Sequence, residues 1–107
     1  MGIATRRIVV EGTRHTISLI GKVNKKQTDA EFRLFVNGVL HDKTTYNIRK
    51  LEFKRYFRNY KWMLRAELED DVHVGVEYKA GFFKRPEYTI YVGGQVVHRE
   101  KGTWGLI

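Results

Sequence analysis

The chain has 107 residues, enough for one domain with its own core, and 42% of them are hydrophobic, including six Tyr, six Phe and two Trp. It contains no cysteine, which excludes a disulfide framework, a thiolate metal site and a cysteine nucleophile. Twenty basic residues against 12 acidic ones give a formal charge of +8, a balance that favours nucleic acid, an anionic membrane surface or an acidic protein face as partner, and that equally keeps a plain domain dissolved.

No run approaches the ~20 consecutive apolar residues of a membrane span. The basic start, Met1 to Arg7, is followed only by Ile8, Val9 and Val10 before Glu11-Gly12, too short an apolar stretch for a signal peptide. The expectation is a cytoplasmic protein with no membrane span.

Short alternating runs separated by glycine occupy most of the chain. Ile8 to Val10 and Ile17 to Leu19 flank the turn-like Glu11-Gly12-Thr13-Arg14. Phe32, Leu34 and Val36 alternate with Arg33 and Phe35 and run into Asn37-Gly38. That pair signals a hairpin, because a type I′ turn needs positive φ at both central positions. Trp62, Leu64, Ala66 and Leu68 alternate with Lys61, Met63, Arg65 and Glu67, giving one apolar and one mostly polar face. The acidic corner Glu69-Asp70-Asp71 leads to Val72, Val74 and Val76. Tyr88, Ile90 and Val92 then reach Gly93-Gly94, followed by Val96 and Val97.

Residues 48–65 admit two readings. Phe53, Tyr56, Phe57, Tyr60 and Leu64 have helical spacing, with Lys54, Arg58, Lys61 and Arg65 opposite, which would make a basic amphipathic helix. Alternatively Leu51 to Arg55 is a strand that turns at Arg58-Asn59 into another starting at Lys61. Strands are preferred, because Phe, Tyr and Trp suit them, no Ser, Thr or Asp cap precedes Leu51, and a helix would scatter the Trp62 to Leu68 alternation.

The two halves resemble each other. Glu31 to Gly38 aligns with Glu87 to Gly94 at an offset of 56 residues, and Ile17 and Leu19 match Val74 and Val76 at 57. The expected fold is therefore all-β, an antiparallel β-sandwich of about eight short strands. It forms a single domain, 1–107, with repeat halves of about 1–50 and 51–107.

The motif order runs His15-Thr16-Ile17-Ser18-Leu19, Phe35-Val36-Asn37-Gly38, Trp62-Met63-Leu64-Arg65, Gly81-Phe82, Glu87-Tyr88-Thr89-Ile90 and Val92-Gly93-Gly94. This order resembles the N-terminal β-sandwich domain of the Fas apoptotic inhibitory molecule family over roughly residues 14–100. The basic stretch Lys50 to Lys61 has no place on the family pattern, and the turn before Gln95 is Gly-Gly. The resemblance implies a non-enzymatic, apoptosis-inhibitor-like β-sandwich that acts through protein contacts in the cytoplasm.

Catalytic chemistry finds little support. His15, His41, His73 and His98 form no H-x-H or H-E-x-x-H motif, so no metal site is expected. Glu67, Glu69, Asp70 and Asp71 lack the frame of a calcium loop. Ser18, the lone serine, sits inside an expected strand, and neither Gly93-Gly94 nor Gly102-Thr103-Trp104-Gly105 has the lysine and helix of a phosphate loop. No enzyme activity and no cofactor are expected. Between Arg49 and Arg65 seven basic residues meet one acid, Glu52, with Tyr56, Phe57, Tyr60 and Trp62 interleaved. The candidate binding residues are Lys54, Arg55, Tyr56, Arg58, Tyr60, Lys61, Trp62 and Arg65.

The first functional expectation is a non-catalytic domain that takes a protein partner through its basic face. The alternative is a nucleic-acid-binding β-domain, in which cations meet phosphates and aromatic faces stack bases. In a sandwich the same aromatics would instead be core, with the basic groups left on a solvated face. Unpaired strand edges leave monomer or edge-paired homodimer open.

Overall fold

Alternation and turns dictate eight strands. In the computed structural model, which describes residues 5–12, 14–24, 26, 28–48, 50, 60–69, 71–81 and 85–102, they are β1 Thr5–Glu11, β2 Thr16–Val23, β3 Asp29–Val36, β4 Val39–Asn47, β5 Tyr60–Glu67, β6 His73–Ala80, β7 Glu87–Val92 and β8 Gln95–Lys101. β1–β4 form one antiparallel sheet in sequence order and β5–β8 form the other. No helix of the described residues is long and apolar enough to cross a membrane.

The halves match in pairing, not only in composition. Ile17 opposite Val36 in the first sheet corresponds to Val74 opposite Val92 in the second. Ile8 opposite Leu19 corresponds to Leu64 opposite Val76. Both final hairpins shift register at one place, between Leu34 and Phe35 and between Ile90 and Tyr91. These bulges leave His41 and Val97 outside the register of their edge strands. Asn37 (φ 52°) with Gly38 (81°) and Gly93 (59°) with Gly94 (81°) make the two type I′ turns that the dipeptides announce.

The strand period sends alternate residues inward, where they stack in layers. Ile17, Val36, Ala66, Val74 and Val92 form one end, and Ile8, Leu19, Leu34, Leu64, Val76 and Ile90 the next layer. Beyond them lies an aromatic layer centred on Phe32, whose ring centroid is 5.0 Å from that of Trp62 and 5.6 Å from that of Tyr88. Trp62 stacks on Tyr78 at 5.0 Å, and Tyr46 stacks on Phe32 at 6.1 Å. Gly21, opposite Phe32 in the ladder, makes room for that ring: a Cβ there would sit 2.2 Å from Phe32 Cε1.

Two contacts close the sandwich where sheet meets sheet. Arg6 of β1 pairs with Glu100 of β8 at 2.9 Å, and its guanidinium lies 5.8 Å from the Tyr88 ring centroid. At the other corner, Asp42 Oδ2 of β4 accepts the Arg65 backbone N–H of β5 at 3.0 Å.

The preference for strands holds from Tyr60 to Glu67. Directly after β4, the backbone is helical at Ile48 and Lys50, and Asn47 Oδ1 accepts the Lys50 N–H at 3.1 Å, as an N-cap does. Asparagine, not the Ser, Thr or Asp sought before Leu51, supplies that cap. Both readings of residues 51–59 fall outside the described residues.

Candidate interaction surface

The candidate residues of the basic stretch separate. Lys54, Arg55, Tyr56 and Arg58 lie outside the described residues. Lys61 and Arg65 are exposed on the outward side of β5. Trp62, one step out of phase with them, points inward and is 9% exposed, so its ring belongs to the core. Tyr60 is half-buried with its ring edge-on to Tyr46. Alternation alone decides this division, because a strand cannot present consecutive side chains on one face.

The histidines are dispersed. His15 Nδ1 is 3.2 Å from Asn37 Nδ2, His73 Nδ1 is 3.7 Å from a Glu67 oxygen, and His98 Nε2 is 3.2 Å from a Glu100 oxygen. His41 is exposed at its bulge. Among the described residues, no three His, Asp or Glu side chains converge as metal ligands. Glu69 and Asp71 belong to a turn in which Leu68 N–H donates to Val72 O and Asp71 N–H to Leu68 O.

The titration behaviour of the interior is set by burial. Tyr46 and Tyr88 are both pushed well above the usual phenol range, first by loss of solvent and then by the neighbouring Tyr78. These hydroxyls stay neutral and act as packing groups. Tyr88 Oη and Trp62 Nε1 are buried with no hydrogen-bond partner among the described residues.

Sequence reasoning missed the exposed apolar side chains. Val9, Val39, Leu40, Met63, Val96 and Val97 are the large apolar residues most open to solvent among those described. They fall on β1, β4, β5 and β8, the four strands at sheet edges. A signal was present: Val39-Leu40 and Val96-Val97 each break strict alternation just after a turn, and a bulge follows in both halves.

The outward face of β5–β8 holds a groove of about 450 Å³ lined by Met63, Arg65, Glu67, His73, Gly75 and Tyr91, among others. Met63 and Arg65 come from β5, Gly75 from central strand β6, and Tyr91 from β7 directly opposite Gly75. Arg65 Nε donates to Met63 Sδ at 3.4 Å, drawing the two side chains together along one wall. Comparison with family models, with curated proteins and with solved structures finds no match for this chain.

Proposed function

We propose that this chain is a non-catalytic β-sandwich interaction domain that binds a protein partner, with the basic outward face of the second sheet taking part. The observation that carries the reading is the placement of the exposed apolar residues, all six on edge strands. Exposed apolar side chains beside unpaired backbone groups are what a protein partner covers. The resemblance to the Fas apoptotic inhibitory molecule family supports the same reading, including its cytoplasmic setting. Nucleic acid is the less supported partner, since Trp62, one of the aromatics proposed to stack bases, is in the core.

The test is capture of partners from nuclease-treated lysate on the wild-type chain and on a Leu40→Lys/Val96→Lys double variant. Both positions are exposed, so the variant is expected to fold. A partner that survives nuclease and is lost with the variant supports the reading. Loss of every partner on nuclease treatment, with oligonucleotide binding at ~50 mM salt that weakens linearly in log affinity against log salt, overturns it in favour of phosphate recognition.

A further inference from the structure

We infer that β1 is a homodimer edge, pairing antiparallel with β1 of a second copy about a two-fold axis at Val9, so that Arg7 of each copy meets Glu11 of the other. This goes beyond the protein-binding reading and uses an edge that the Leu40→Lys/Val96→Lys variant leaves intact.

The first hairpin fixes which backbone groups of β1 point away from β2. Gly12 N–H donates to His15 O at 2.9 Å, which makes Gly12 and His15 a hydrogen-bonded pair. Bonded and non-bonded pairs alternate along an antiparallel ladder, so Val10 bonds across to Ile17 and Ile8 to Leu19. Arg7, Val9 and Glu11 therefore turn their N–H and C=O groups to the outer edge. No strand among the described residues pairs with that edge. The side chains of the same three residues are exposed, on the face opposite to buried Ile8.

Charge selects both the occupant and the register. Two copies bond edge to edge only where these edge-facing residues oppose one another. A two-fold at Arg7 or at Glu11 opposes like charges, and one at Ile8 or Val10 opposes a charge to Val9. A two-fold at Val9 sets Arg7 against Glu11 on both sides and the exposed Val9 side chains against each other. Neither Arg7 nor Glu11 has an ion-pair partner among the described residues, so both are free to pair across this edge. The inward row also continues across the seam. Ile8 of the second copy comes opposite Val10, which lines a groove of about 440 Å³ with Val92 and Val97 at this corner of the sandwich. The other edges do not complement themselves in this way. β4 carries Leu40, Lys43 and Thr45 outward and β8 carries Val96, Arg99 and Lys101, rows without an acid. β5 is blocked at its middle, where Asp42 takes the Arg65 N–H.

The experiment is sedimentation velocity over a concentration series of the full chain, of Arg7→Glu, of Glu11→Arg, and of an equimolar mixture of the two variants. Both positions are exposed, so the variants are expected to fold. The wild-type chain should form a dimer whose share rises with concentration. Each single reversal opposes like charges on both sides of the two-fold and should weaken the dimer roughly tenfold or more. Mixing the two variants should restore it, because a chain acidic at both positions then meets one basic at both. Amide hydrogen exchange of the wild-type chain gives a second readout: Arg7, Val9 and Glu11 should gain protection as concentration rises. A monomer at every concentration, a dimer indifferent to both reversals, or a loss that mixing does not rescue overturns the inference. Concentration-dependent protection on β4 or β8 in place of β1 overturns it as well. Nuclease-resistant capture at the Leu40 and Val96 edges succeeds or fails separately from all of these results.

Discussion

The first and second sheets share turns, registers and bulges but divide the interior unequally. β1–β4 contribute Phe32 and Tyr46 to the aromatic layer, whereas β5–β8 contribute Tyr60, Trp62, Tyr78 and Tyr88. Where the second sheet sets Tyr78 opposite Tyr88, the first sets Gly21 opposite Phe32. Backbone pairing is thus the repeated property, and side-chain volume is free to differ if the sum across the interior is conserved. The bulky row Trp62, Tyr78 and Tyr88 in one half is accommodated by the missing side chain at Gly21 in the other. The outward faces differ in reverse, with Gly75 in the second sheet where the first has Ser18.

Ionising the shared layer breaks the comparison most severely. The phenols of Tyr46 and Tyr88 titrate above their unfolded value of about 10. The stability they represent is therefore complete below pH ~10 and lost as pH rises beyond it, because the unfolded chain releases those protons first. Stability measured by urea midpoint should fall steeply as pH rises above ~10, with phenolate absorbance at 295 nm appearing together with unfolding. Free titration of all six tyrosines in a folded chain would contradict this.

Removing the ring that joins the halves comes next. Phe32→Ala deletes the partner of Tyr46, Trp62, Tyr78 and Tyr88 at once and should cost about 3–5 kcal/mol by chemical denaturation. A loss under ~1 kcal/mol would mean that the surrounding rings collapse into the space. Overfilling the same layer is milder. Gly21→Ala drives a Cβ into the Phe32 ring and should cost about 1–3 kcal/mol, whereas Gly75→Ala should be neutral or stabilising by up to ~1 kcal/mol. Equal losses at both glycines would refute the distinction drawn between a packing glycine and a surface one.

Much of this is legible in the sequence. Period-two alternation set β3, β5 and β7, and Asn37-Gly38 and Gly93-Gly94 placed their turns. The eight-residue match from Glu31 to Gly38 extended to a shared register and bulge. The fate of Trp62 was written in its phase relative to Lys61 and Met63. What was not legible depends on contacts between distant residues: the Gly21–Phe32 exchange of volume, the Arg6–Glu100 and Asp42–Arg65 closures, and the groove over Gly75. Composition cannot report which glycine lies under a ring and which lies under solvent. Asn47 as a cap was missed because the cap was sought next to Leu51, three residues beyond the helical backbone at Ile48.

The smallest effect tests how the two turns differ while sharing a conformation. Asn37 does more than tolerate φ 52°: its Oδ1 accepts the Thr16 N–H at 2.9 Å, and its own N–H donates to Thr16 O at 2.8 Å. Gly93 keeps only the second of these bonds, donating to His73 O at 2.8 Å. Asn37→Gly should therefore lose the side-chain bond and the rigidity of a substituted residue, about 0.5–1.5 kcal/mol. Gly93→Asn should move the other way by a few tenths to ~1 kcal/mol, because asparagine accepts the left-handed region and restricts the unfolded chain. Thermal denaturation of the two single variants and the double one can resolve both signs. The turns belong to different sheets and bond to different strands, Thr16 of β2 and His73 of β6, so their effects should add within ~0.5 kcal/mol. Opposite signs would mean that the second half folds on a turn less optimised than the first, although both turns have φ in the left-handed region at both central positions. The same sign in both would place the difference in the flanking strands instead, with β2 and β6 rather than the turn residues setting hairpin stability.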